Sequence, residues 1–117
     1  MTLAVIVPVY NERDSIQPFY ERTAAVLDAL EGLDRWLLVF VNDASTDGSL
    51  DRIQQLLAHD ARVKVITLSR HFGYYAVLMA GLSRVESDLY AIVDVDGEDP
   101  PELLAQWIID DRLPVRL

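Results

Sequence analysis

Two aspartates one residue apart, Asp94-Val95-Asp96, follow directly on the apolar run LYAIV. At the end of a strand, carboxylates at i and i+2 can approach one hard cation. Mg²⁺ or Mn²⁺ favours such oxygen ligands and often keeps substrate phosphates in its shell. Glu98 adds a third carboxylate close by. The plain alternative is a solvated acidic loop ahead of a helix, its charges favoured by the helix dipole. Asp99 already fills the capping role there, so Asp94 and Asp96 need another explanation, and acids this dense after an apolar strand point to a metal.

Three further segments could contribute. In Asn42-Asp43-Ala44-Ser45-Thr46-Asp47-Gly48, Asp43 emerges from a strand and could accept hydrogen bonds from a nucleobase; a structural Asx turn is the equal alternative. Asp47 reads as the cap of the next helix. In Pro8-Val9-Tyr10-Asn11-Glu12, the proline limits sheet hydrogen bonding and steers the loop outward, and Tyr10 could lay its ring on a base or be an ordinary loop tyrosine. In Arg70-His71-Phe72-Gly73, Arg70 could neutralise phosphate charge. His71 has no metal-ligand partner at helical spacing, Phe72 reads as a core anchor, and Gly73 as a backbone conformation other residues avoid. His59, at the end of an amphipathic helix, reads as surface.

These residues need a scaffold, and strand-like and helix-like segments alternate along the chain. Residues 3–9 (LAVIVPV), 36–41 (WLLVFV), 63–68 (VKVITL) and 89–93 (LYAIV) are β-rich apolar runs suited to strands buried on both faces. Asp14 or Ser15 is expected to cap a helix running to about Leu30, with Ile16, Phe19, Tyr20, Thr23, Val26, Leu27 and Leu30 as its apolar stripe and Gly32 as its stop. Further helices are expected over about 49–58, with Leu50, Ile53, Leu56 and Leu57 inward, and over about 75–83. A last helix opens with Asp99 as cap, Pro100 at the first helical position and Glu102 three residues after the cap. The rhythm β-α-β-α-β-α-β-α predicts an α/β fold, a Rossmann-like parallel sheet with helices on both faces. Ligands of such sheets bind beyond the carboxyl ends of the strands, where all four polar segments lie.

The chain has 117 residues, enough for one core. It contains no cysteine, which excludes disulfides and thiolate metal sites. A formal net charge of −9 argues against nucleic acid as a partner and against attraction to an anionic membrane surface. An anionic nucleotide is still admissible if a divalent cation lies between. No apolar stretch approaches the ~20 residues that span a bilayer, and no basic segment precedes an apolar run at the N-terminus. The expectation is a soluble, cytoplasmic chain.

Together the segments resemble the family 2 glycosyltransferases of the GT-A fold, and within them the dolichol-phosphate mannose synthase and bacterial polyprenyl-phosphate sugar transferase subgroup. The matching stretches are IVPVYNE, VNDASTDGS, LSRHFG, AGL and DVDGEDPPEL. Each is weak alone; the ordered set is specific. The resemblance implies that Pro8, Tyr10 and Glu12 surround the nucleoside, that Asp43 contacts the base, that Asp94 lies near ribose and metal, that Asp96 is the principal metal ligand, and that Glu98 is near the metal. It implies a UDP- or GDP-linked sugar as donor, Mg²⁺ or Mn²⁺ as cofactor, inversion at the anomeric carbon, and a polyprenyl phosphate as acceptor at the inner face of the membrane. The acceptor oxygen is already anionic, so no strong general base is required.

Departures accompany the resemblance. Asn42 and Ala44 replace the commoner aspartate and glycine, Glu98 a common glutamine, and Tyr74 and Tyr75 stand where a lysine or other polar residue and a glutamate are common. Residues 1–109 fit a nucleotide-sugar-binding subdomain, residues 110–117 do not match, and the acceptor half is expected to be missing, leaving no catalytic residue to name and apolar surface open to self-association. Two rivals stand beside this reading: a non-catalytic nucleotide-binding module, and a haloacid-dehalogenase-type phosphatase. The phosphatase would want its D-x-D-G motif on the first strand and threonine or valine where Glu98 stands.

Overall fold

A computed structural model describes residues 1–96. Four parallel strands, β1 (Thr2–Val9), β2 (Arg35–Asn42), β3 (Val63–Thr67) and β4 (Leu89–Ile92), alternate with helices α1 (Arg13–Asp28), α2 (Ser49–His59) and α3 (Tyr74–Arg84). The sheet order is β3-β2-β1-β4. The expected helix from Asp99 and the expected site residue Glu98 lie outside the described residues.

The apolar runs form strands because both faces of the sheet are covered. Leu3, Val5, Val7 and Val9 join Ile16, Phe19 and Leu27 of α1 and Ile53 and Leu56 of α2 in one core. Ala4 and Ile6 pack with Val39, Val41 and Val77 of α3 in the other. Alternate residues of one strand therefore feed opposite cores, as the two-residue period of a strand requires. From β1 the chain moves outward through β2 to β3, then returns across the sheet to place β4 on the far side of β1. With one handedness of crossover, that reversal puts α3 on the face opposite α1 and α2, as observed. The crevice at such a reversal, between the carboxyl ends of β1 and β4, is where ligands of open parallel sheets bind.

Two helix boundaries differ from expectation. Neither Asp14 nor Ser15 caps α1; the cap position is Glu12. Its backbone N–H donates to Ser49 Oγ at 3.1 Å, and the Arg13 N–H donates to Asp47 Oδ2 at 3.1 Å. The first donors of α1 are thus satisfied from the start of α2, a non-local arrangement invisible to a local capping rule. At the other end α1 stops at Asp28, short of Leu30. The Ala29 N–H is shared between Ala25 O and Val26 O and the Leu30 N–H reaches Leu27 O, so the end of the helix passes over to three-residue bonds before Gly32, at φ +87°, redirects the chain.

Candidate active site

Pro8 opens the crevice. Within β1, the Val9 carbonyl accepts from the Asp43 N–H toward β2, and the Ile6 carbonyl accepts from the Val93 N–H toward β4. Parallel strands alternate their bonding side, so residue 8 follows residue 6 in facing β4. The register with β4 ends at Ile6↔Ile92. A residue without an N–H at the next position leaves no orphaned donor where the strands part.

Beyond that point lies a cleft of about 310 Å³ whose lining includes Pro8, Tyr10, Glu12, Asp43, His71, Asp94 and Asp96. Val93 and Val95 are buried in the core beneath α1 and α2. The alternation leaves Asp94 and Asp96 on the other side of the chain. Glu12 arrives from the start of α1. Burial, and next the charge of Asp96, raises its carboxyl above the usual range; the Tyr10 backbone partly counters this, while Asp94 and Asp47 add to it. Negative charge from three chain segments thus converges here. That is a set of hard oxygen donors suited to a divalent cation. Among the described residues no three His, Asp or Glu side chains are grouped closely enough to hold a metal ion alone. Mg²⁺ and Mn²⁺ need no such cage, since one or two carboxylates plus phosphate oxygens and water fill their shell.

Asp43 is 3 % exposed and its carboxylate is already engaged. Oδ1 accepts from the Phe72 N–H at 2.8 Å and Oδ2 from the Gly73 N–H at 3.0 Å. His71 Nδ1 stands 2.8 Å from Oδ2. Gly73, at φ +95°, allows the turn that aims both amides at one carboxylate. Asn42 does make a local side-chain bond in the loop, its Oδ1 accepting from the Ser45 N–H at 3.1 Å. The Asx-type reading considered for Asp43 therefore falls on its neighbour.

The loop after β3 departs furthest from expectation. Phe72 is 47 % exposed, not a core anchor, and the Arg70 guanidinium sits over its ring at 4.6 Å. Arg70 is exposed and is not among the residues that line the cleft. His71 is, with its ring centroid 4.2 Å from that of Tyr10. The sequence held little sign of this, because its partners Asp43 and Tyr10 lie in the loops that follow other strands; a search for metal-ligand spacing along one helix does not find them. Tyr74 and Val77 of α3 complete the same wall. His59 is on the surface, as expected.

The described residues contain no helix long and apolar enough to cross a membrane. Comparison with known proteins agrees with the fold. The chain is 36 % identical over 105 residues to the uncharacterized glycosyltransferase YkcC of Bacillus subtilis, covering 90 % of this chain and 32 % of that protein. It is 34 % identical over 107 residues to the undecaprenyl-phosphate 4-deoxy-4-formamido-L-arabinose transferase of Salmonella dublin, covering 91 % and 32 %. It therefore spans about a third of the length of these relatives. Among solved structures, TarS of S. aureus superposes with a TM-score of 0.68 at 26 % identity, over 95 % of this chain and 33 % of that one. The mannosyltransferase PcManGT of Pyrobaculum calidifontis, solved with GDP-Man and Mn²⁺, superposes with a TM-score of 0.69 at 24 % identity, over 80 % and 27 %, a likeness of fold. Residues 4–109 match glycosyl transferase family 2, and with a parallel sheet of this order and an acidic cleft at its reversal point, the chain belongs to that family.

Proposed function

We propose that this chain is the donor-binding part of a metal-dependent, inverting glycosyltransferase that uses a UDP- or GDP-linked sugar, with a polyprenyl phosphate as acceptor. The observation that carries the reading is the convergence of Pro8, Tyr10, Glu12, Asp43, Asp94 and Asp96 on one cleft at the reversal point of the sheet. Asp94 and Asp96, with Glu98 beyond the described residues, would hold Mg²⁺ or Mn²⁺ against the donor's diphosphate. A cation bound there supplies Lewis-acid stabilisation of the departing nucleoside diphosphate.

The chain's own residues orient and enclose the donor. Tyr10 offers a ring face to the base, and Asp43 holds the 72–73 turn against it. Val77 and Pro8 supply apolar wall. Arg70, exposed beside this turn, would neutralise phosphate charge on the donor. The acceptor is taken from the resemblance to polyprenyl-phosphate transferases and from the relatives that carry that activity in their names. A phosphate acceptor is anionic before it attacks, so a strong base among these residues is not needed.

Thermal melting tests the donor reading. UDP or GDP should raise the melting temperature only with Mn²⁺ or Mg²⁺ present, and Asp96→Ala should remove the cation-dependent part. Stabilisation that needs no cation and survives Asp96→Ala would count against this site. Sugar transfer assayed on the same chain separates an active transferase from a module that binds nucleotide without turnover.

A further inference from the structure

Resting on the donor-site reading above, we propose that His71 reads the nucleobase through Nε2 and selects bases that present a ring N–H, uracil or guanine, over cytosine. The argument begins with Asp43. A carboxylate has about four acceptor positions, and three are taken by the Phe72 N–H, the Gly73 N–H and His71 Nδ1. Part of its work is to position the 71–73 turn.

That work has a consequence for the histidine. A carboxylate accepts, so the proton of the neutral imidazole resides on Nδ1, and Nε2 becomes an acceptor. His71 is 54 % exposed in its side chain, lines the cleft and lies against the Tyr10 ring. Nε2 is the ring's one polar atom left for a ligand, beside an aromatic face on which a base can stack. An acceptor there suits the N3–H of uracil or the N1–H of guanine. It opposes the bare N3 of cytosine, which is itself an acceptor. Tautomer fixing by a second residue is the device by which histidines commonly present one defined nitrogen.

Calorimetric titration with UDP, GDP and CDP in the presence of Mn²⁺ tests this, on the wild-type chain and two variants. His71→Asn can still donate to Asp43 from its amide but has no atom at the reach of Nε2. His71→Phe keeps a ring against Tyr10 and has no nitrogen. The wild type should prefer UDP or GDP to CDP. Both variants should lose roughly five- to tenfold in affinity for the preferred nucleotide and reduce its margin over CDP, as loss of one hydrogen bond would. Thermal melts establish that each variant folds, and either variant alone suffices. A His71→Asn or His71→Phe chain with wild-type affinity and an unchanged UDP-to-CDP ratio overturns the proposal while leaving the donor site intact. A wild-type chain that binds no nucleoside diphosphate at all removes the donor site, and this inference with it.

Discussion

Gly81 of α3 lies directly on Ile6 of β1: a Cβ built on Gly81 would stand 2.6 Å from Ile6 Cγ2 and 3.3 Å from Val41 Cγ2. This contact lets α3 seat closely on the sheet and carries Tyr74 and Val77 to the cleft wall. Ile6 is fully buried and β-branched, so its Cγ2 has no rotamer into which to retreat.

Gly81→Ala should therefore destabilise the fold by about 1–3 kcal/mol through overpacking. It should also weaken nucleotide binding by displacing the N-terminal half of α3. Urea denaturation of Gly81→Ala, Ile6→Ala and the double variant checks the cause. The glycine substitution should cost less when Ile6 is already alanine, a coupling that only direct contact produces. Additive costs would place the effect elsewhere.

The apolar runs and the ordered polar segments were legible because they are local. LAVIVPV can be read as a doubly buried strand without its neighbours, and the carboxyl-end rule then collects Tyr10, Asp43 and Asp94 on one edge. What escaped was every feature that depends on a partner distant in sequence. The cap of α1 comes from Asp47 and Ser49, more than thirty positions on. Asp43 is tied through both oxygens to the turn after β3, about thirty positions on, a link that no local rule anticipates. Phe72, hydrophobic by type, stays exposed because its turn is held by backbone amides. Its ring meets Arg70, not the core.

Asp47 serves two helices at once. Oδ2 accepts from the Arg13 N–H of α1 at 3.1 Å, and Oδ1 from the Ser49 N–H of α2 at 3.0 Å. Desolvation pushes its carboxyl up, but hydrogen bonds from Ser49 and from the Arg13 backbone outweigh this and hold it below the ordinary value. Asp47→Ala should cost about 1–2 kcal/mol, more than a typical single cap, because two helix starts lose an acceptor. Asp47→Asn keeps one good acceptor and should fall between. Because the folded carboxyl is the stronger acid, this stabilisation is present above the ordinary aspartate range and fades as pH falls through it. Equal stability of Asp47→Ala and wild type at pH 7 would contradict the dual role.

Ala44 occupies the left-handed region at φ +58°. That conformation burdens any residue with a Cβ, by roughly 1 kcal/mol. Glycine is common at this position in the family pattern. Ala44→Gly should therefore raise stability by about 0.5 kcal/mol, the relief of strain being partly offset by the greater freedom of glycine in the unfolded chain. Guanidinium melts resolve a change of that size. A clear loss of stability would mean that the Ala44 methyl makes a contact worth more than the strain.

Far from the cleft, Asp60 and Arg62, in the turn between α2 and β3, together bind that turn to α1 and β2. Asp60 Oδ1 accepts from Arg62 Nε at 3.0 Å, and its Oδ2 from Arg62 Nη2 at 3.0 Å and from the Tyr20 hydroxyl at 2.7 Å. Arg62 reaches on to Asp28 of α1 at 2.6 Å and lies over the Trp36 ring of β2 at 3.8 Å. The hydrogen bonds from Arg62, opposed by desolvation and reinforced by Tyr20, lower the Asp60 pKa from 3.8 to about 2. A depressed folded value means the unfolded chain takes up the proton first. The contribution is thus complete above about pH 5 and is lost as pH falls from 4 toward 2. Asp60→Asn should be less stable than wild type by about 1–2 kcal/mol at pH 7, and the gap should close as pH approaches 2. Urea midpoints at pH 7, 4 and 2.5 measure it. A gap independent of pH would show that the two chains differ by packing, since only a charge held on Asp60 in the folded state makes the difference vanish in acid.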